Sequence, residues 1–258
     1  MIYGILFIIL VAFTVYAFIK TKRKKQELFP KDWHPILMDK VLFYSKLSPP
    51  KRKTFQNRMM RFLTEIHIDG VHLKIEAVDK ILIAASAVIP VFGFKEWYYN
   101  NLSGIILYPD TFDENLEFKA ENKARKIWGM VGSGRYEKQM ILSRKALYQA
   151  FSNDTDKHNT PVHEFVHLID KMDGQTDGIP EQLLSKAYIR PWLELMHKEM
   201  EAINADASDI RKYGGTSQAE FFAVASEYFF ERPKLLKRKH PRIVPYVVTL
   251  FSAKQSMI

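Results

Sequence analysis

Cysteine is absent from all 258 residues. That excludes a disulfide framework and any thiolate-bound metal, so a metal held here must sit on histidine and carboxylate. Acid is absent from the first 25 residues, where Lys20, Lys22, Arg23, Lys24 and Lys25 stand together. Five of the nine net positive charges fall there, which leaves four for residues 26–258. Such a weak bias argues against a nucleic-acid partner. A phosphate loop is missing as well: Gly132-Ser133-Gly134 has neither the following Gly-Lys-Ser/Thr nor a full G-x-G-x-x-G, and reads as a turn. The chain shows no internal repeat and no low-complexity tract.

What is present begins with an uncharged apolar run, Ile2 to Ile19. As a helix it extends about 27 Å against a hydrocarbon core of about 30 Å, just enough to span. The basic cluster follows the run and nothing charged precedes it, the reverse of a cleaved signal peptide. The positive-inside rule then places the amino terminus outside and the rest in the cytoplasm. Residues 1–19 are expected to be a transmembrane anchor and 20–29 a basic juxtamembrane linker facing anionic headgroups. Residues 30–258 form the remaining domain, in a single-pass membrane protein.

Within that domain, helices are expected over Pro35 to Leu47 and Lys51 to Glu65, and a strand or hairpin over Ile66 to Ile75, turning at Asp69-Gly70. Ala77 to Phe92 is nearly all apolar but too short for a span, and reads as a buried core helix. Ile105 to Tyr108 and Gln139 to Leu142 read as strands, with a helix from Arg144 to Phe151 and another from Trp192 to Ala205. Trp97-Tyr98-Tyr99 reads as packing, and Lys237-Arg238-Lys239-His240 as a solvated helix end. The pattern is α+β, mostly helical, with a small mixed sheet placed just before the residues that carry the chemistry.

Those residues are Asn159 to Asp173, NTPVHEFVHLIDKMD. Thr160 can cap a helix, Pro161 suits its first position, and Val162, Phe165, Val166 and Ile169 supply an apolar face. His163 and His167 are four apart, so on a helix they project from one face, about 5–6 Å apart at Cβ. Two imidazoles so placed can bind one zinc ion, and Glu164 can touch a water on it.

A catalytic zinc needs a third protein ligand. Glu220 and Glu227 follow a Gly214-Gly215 turn on the next apolar helix pattern, seven apart and on one face, and either can reach the metal. Glu220 is equally readable as the acid of a Ser217-x-x-Glu220 capping box. Asp170 shares the histidine face and is better placed to orient an imidazole N–H than to bind metal.

The combination HEFVHLID, DGQTDGIP and YGGTSQAEFFAVASEYFF resembles the Mlc titration factor A family of zinc-dependent peptidases and, more distantly, the lethal-factor group of zincins. The likeness extends upstream through IHIDGVHLKIEAVDKILIAASAVIPVFGF, LSGIILYPDTF and QMILS, and covers roughly residues 30 to 250. It implies a zincin-like peptidase domain with one zinc on His163, His167 and Glu220. It also implies Glu164 as the catalytic carboxylate, Tyr213 as a further catalytic group, and Glu227 in a structural or supporting role. A peptide or protein is the implied substrate. A regulatory protein partner, sequestered by a binding or titration module with weak or no hydrolysis, is the alternative.

Overall fold

The computed structural model describes residues 27–113, 126–132, 134–152 and 157–252. The expected anchor and most of the expected linker lie outside these residues. Among the described residues no helix is long and apolar enough to cross a membrane.

The chain enters through α1 (Trp33–Lys40) and α2 (Leu42–Ser45). One helix was expected over Pro35 to Leu47, but Val41, buried and β-branched, leaves helical geometry at φ −109° and ψ 90° and splits it in two. The third helix, α3 (Pro49–Glu65), starts on its two prolines, whose missing N–H groups have no helical partner at that end. Strand β1 (His67–Gly70) follows, and here the expected Asp69-Gly70 turn is not formed. Both residues pair in parallel with β2 (Gly104–Tyr108), so tertiary pairing overrides the local turn preference.

Helix α4 (Ala77–Val88) crosses between these two strands, and nearly all of its residues are buried. The core-helix reading therefore holds. Glu76 and Asp79 form a capping box at its start, and the fully buried Asp79 is also paired with Arg144. Next come β3 (Gly129–Val131), β4 (Gln139–Ser143) and α5 (Arg144–Gln149). The sheet order is β1-β2-β4-β3, with β3 antiparallel at one edge and the other pairings parallel. Strand β3 was not anticipated: three residues with a glycine carry no periodic signal.

The chemistry rides on α6 (Thr160–Asp170), which packs on α4 and on α8 (Gln218–Glu231). Its apolar residues decide its orientation. Phe165, fully buried, lies 5.7 Å from the Phe62 ring and 5.2 Å from the Tyr99 ring, and Val162 and Val166 are buried beside it. Each such side chain contributes about 1.5–3 kcal/mol. Trp97 and Tyr99 belong to this packing, as expected.

Between α6 and α8 runs α7 (Lys186–Asn204), which starts six residues earlier than expected and continues through Pro191. Lacking an N–H, Pro191 leaves the Ala187 carbonyl without its helical partner. The turn after α7 passes so close to its end that a Cβ on Gly215 would stand 2.3 Å from Asn204 Oδ1 and displace that side chain. Helices α9 (Pro233–Lys239) and α10 (Val244–Phe251) close the core behind α8. The architecture is α+β, mostly helical with one small mixed sheet.

Candidate metal centre

Asn159 caps α6, accepting the Val162 N–H at 3.0 Å, and Thr160 becomes the first helical residue rather than the expected cap. Four residues make slightly more than one helical turn, which aligns His163 and His167, whose rings stand 4.6 Å apart. Their Nε2 atoms are 3.0 Å apart. Glu220 Oε2 lies 3.0 Å from the first and 3.4 Å from the second. These three residues are a group able to hold a metal ion, with all their ligand atoms within 4.8 Å of one another.

Backbone and side chain of Glu220 have different partners. Its backbone N–H bonds the Ser217 hydroxyl at 3.2 Å, so Ser217 caps α8, while the Glu220 carboxylate turns to the histidines. Oε2 is buried without a hydrogen bond of proper geometry despite its closeness to both rings. Two imidazole nitrogens and a carboxylate oxygen grouped around one point are what a cation needs.

Glu227, one fully buried turn pair further along α8, orients the first histidine. Its Oε1 accepts from His163 Nδ1 at 2.6 Å and pairs with Arg211, and its Oε2 accepts the Asn159 N–H at 2.8 Å. When the ring is neutral, a hydrogen held on Nδ1 by Glu227 leaves the Nε2 lone pair of His163 facing the common point. Asp170 does not take the expected role. Its Oδ2 accepts the Gly178 N–H at 2.8 Å and so ties down the loop after α6. Glu227, 64 residues away in sequence, does for His163 what Asp170 was expected to do.

The electrostatics agree. Burial opposes charge on His163, but Glu227, Glu220 and Glu164 outweigh it and raise the imidazole to about 10. Burial likewise opposes the Glu220 carboxylate, but the two imidazoles hold it well below the usual range. Three carboxylates face the two rings against the single guanidinium of Arg211, so the surroundings favour a dication.

Glu164 is buried, which raises its carboxyl above the ordinary value, with Glu220 and Glu227 adding to the rise and both histidines opposing it. It lines a cavity of about 740 Å³ together with His163, His167, Glu220 and Tyr213. The Tyr213 ring stacks on His163 at 6.0 Å and its hydroxyl donates to Glu220 Oε1 at 3.1 Å. All five residues expected to carry chemistry therefore share one cavity.

A family model described as glucose-regulated metallo-peptidase M90 matches residues 17–251. The chain belongs to this family. Among curated proteins, an uncharacterized protein of Synechocystis is 27% identical over 239 residues, 87% of this chain and 84% of its own length. Proteins named Mlc titration factor A are similar too. That of Edwardsiella ictaluri is 27% identical over 187 residues, 69% of this chain and 71% of its own. That of Klebsiella pneumoniae strain 342 is 25% identical over 222 residues, 82% of each.

The M90 match spans every residue of the cluster, including several that sequence reasoning did not single out. Asn159 and Arg211 hold Glu227, and Gly129 forms the facing wall. A Cβ at Gly129 would stand 2.9 Å from Glu164 Oε1, so the strand can approach the carboxyl only without a side chain. Arg211 had one available signal: a buried Glu227 requires a cation, and Arg211 lies two residues before the tyrosine.

Proposed function

We propose that this protein is a zinc-dependent peptidase that hydrolyses peptide bonds, with its peptidase domain tethered at the inner face of a membrane by residues 1–19. One observation carries the catalytic part: His163 Nε2, His167 Nε2 and Glu220 Oε2 converge within 3.0 to 3.4 Å beside a buried Glu164 in an open cavity. Tetrahedral ligands at about 2.0–2.1 Å from zinc stand about 3.3 Å apart, and two histidines with one glutamate are a known catalytic set. The donors fit that ion.

When bound there, zinc lowers the pKa of a water from 15.7 to about 7 and polarises the carbonyl to be attacked. Glu164 would take the proton at its carboxylate as the new C–O bond forms, and deliver it to the departing amine as the C–N bond breaks. Its burial, which favours the protonated form, suits the second half of that shuttle. Tyr213, whose hydroxyl is already at the cluster, would donate to the carbonyl oxygen as negative charge builds on it.

The sheet edge would hold the chain to be cut. Trp128 C=O and Gly132 N–H bond to β4, so the residues between alternate, and the backbone groups of Gly129 and Val131 face the other edge, where among the described residues the Phe112–Ile127 bridge precedes β3 and no further strand pairs with it. An extended peptide can add there as a further strand. The uncharged run and the basic cluster behind it support the tether, with the domain cytoplasmic.

The test is zinc content and hydrolysis of a mixed peptide library by the full chain and by Glu164→Gln. One zinc per chain in both, with turnover about 10²–10⁴-fold lower in the variant, is the expected result. Undiminished hydrolysis by Glu164→Gln removes the assignment. The titration-factor names of the relatives favour a second reading, a module that sequesters a regulatory protein with little hydrolysis. Partner capture by both proteins, with no turnover by either, selects that reading.

A further inference from the structure

Helix α6 does not stop presenting side chains to the cavity at His167. Lys171 comes four residues later, its backbone N–H still bonds the His167 carbonyl, and its side chain lines the same cavity as the two histidines. His163, His167 and Lys171 therefore form one row along the helix, about 6 Å per step. The Lys171 ammonium is half-buried and donates to the Gly132 carbonyl at 3.3 Å. One of its three protons is thereby used, and the position of the charge is fixed at the end of β3.

A half-buried ammonium ordinarily finds a carboxylate, and three are close by in sequence. All three are engaged with backbone. Asp170 accepts from Gly178 N–H, Asp173 from Gln175 and Glu181 N–H, and Asp177 from Ile179 N–H. Among the described residues none forms an ion pair with Lys171. The two acids of the cavity, Glu164 and Glu220, belong to the metal cluster. Of the other cations lining the cavity, Arg211 is tied to Glu227 and Lys126 is exposed. Lys171 is thus a positioned charge on the wall of a cleft, with donors to spare.

We propose that Lys171 forms a carboxylate-binding subsite, so that the substrates of this protein carry an acidic side chain or a free C-terminal carboxylate a short way from the bond that is cut. This rests on the peptidase reading. The distance follows from the strand: Gly129 lies against Glu164 and Gly132 holds Lys171, three residues on, about 10 Å at roughly 3.3 Å per residue. A peptide laid along the free edge brings its second or third residue from the scissile bond to the ammonium.

The test uses the zinc-loaded full chain and one peptide sequence carrying Glu, Gln or Lys at each position around the cut, with free or amidated C-termini. A kcat/KM at least about tenfold higher for Glu than for Gln at one position identifies the side chain as the source of the carboxylate. The same preference for free over amidated ends identifies the terminus. That ratio should fall towards one in Lys171→Met, return in Lys171→Arg, and invert in favour of Lys peptides in Lys171→Glu. Charge inversion is an effect that a merely structural lysine would not produce. Equal rates for all carboxylate and neutral peptides, or an unchanged ratio in Lys171→Glu, overturns the subsite. If the wild type cleaves nothing, the peptidase reading fails instead, and the subsite is read by equilibrium binding of the same peptides to Glu164→Gln. Equal affinities there overturn it.

Discussion

Two clusters of histidine and carboxylate share the turn after α7 and the helix α8, and only one groups its atoms as a metal ion would need them. In the cluster of His163, His167 and Glu220, Glu220 Oε2 and His167 Nδ1 are buried without hydrogen bonds, although both imidazole Nε2 atoms lie within 3.4 Å of that oxygen. In the other, around Asp209, each group is matched. Asp209 Oδ2 takes Lys157 at 2.8 Å and the Tyr228 hydroxyl at 2.9 Å, Oδ1 faces His240 Nε2 at 2.7 Å, and His240 Nδ1 meets Glu199 at 3.2 Å. The residue types are nearly the same. What separates them is satisfaction: the second cluster closes on itself and pins the turn, while the first leaves its lone pairs directed at one point in an open cavity. Asp209 and Arg211, two residues apart, tie one turn to both clusters, so the closed one steadies the open one.

The comparison breaks most sharply at Glu220. Glu220→Ala should lose zinc outright in a chelator competition, by more than the roughly 10–100-fold that an outer partner is worth, and Glu227→Gln should lose about that lesser amount. The reverse order would exchange the roles of the two glutamates. Tyr213→Phe should hold its zinc and its thermal stability while kcat falls about 10²–10³-fold, the effect of one donor to a developing oxyanion. A matching fall in zinc content would instead make the Glu220 contact its main role.

Residues within one helix were legible from sequence, and residues brought together by folding were not. The spacing of His163, Glu164 and His167 needs only a helix, and α6 supplied it. From spacing alone Glu220 was legible only as one of two equal readings, and only the family resemblance favoured the metal; its backbone N–H bonds the α8 cap while its side chain turns to the histidines. Asp170 was expected to orient an imidazole because it shares the histidine face, and Glu227 was given only an unspecified structural or supporting role. The actual partner comes from α8, where no local pattern could indicate it. Strand β3 and the Asp69-Gly70 pairing were missed for a related reason: both exist through neighbours distant in the chain. The residue before Thr160 took the cap because Asn159 is also held by Glu227 and Glu231, contacts a local capping rule does not contain.

The smallest expected effect tests whether the Asp209 cluster is the strut it is taken to be. Burial opposes charge on His240, but Glu199 and Asp209 outweigh it and raise the imidazole above its ordinary 6.5. A histidine raised on folding stabilises fully below about pH 6.5, and that stabilisation is lost as pH rises through the folded value. Asp209 changes nothing in this window, since Lys157, His240 and Tyr228, working against burial, hold it well below the usual carboxylate range. Unfolding of the wild type and of His240→Gln, followed from pH 6 to pH 9, should show a gap of about 1 kcal/mol at the acid end that narrows towards the alkaline end. Zinc content should stay level between the two proteins throughout. A gap that does not change with pH would mean that His240 acts by shape alone. Zinc lost in step with the gap would mean that the two clusters are one cooperative unit, not a site and its support.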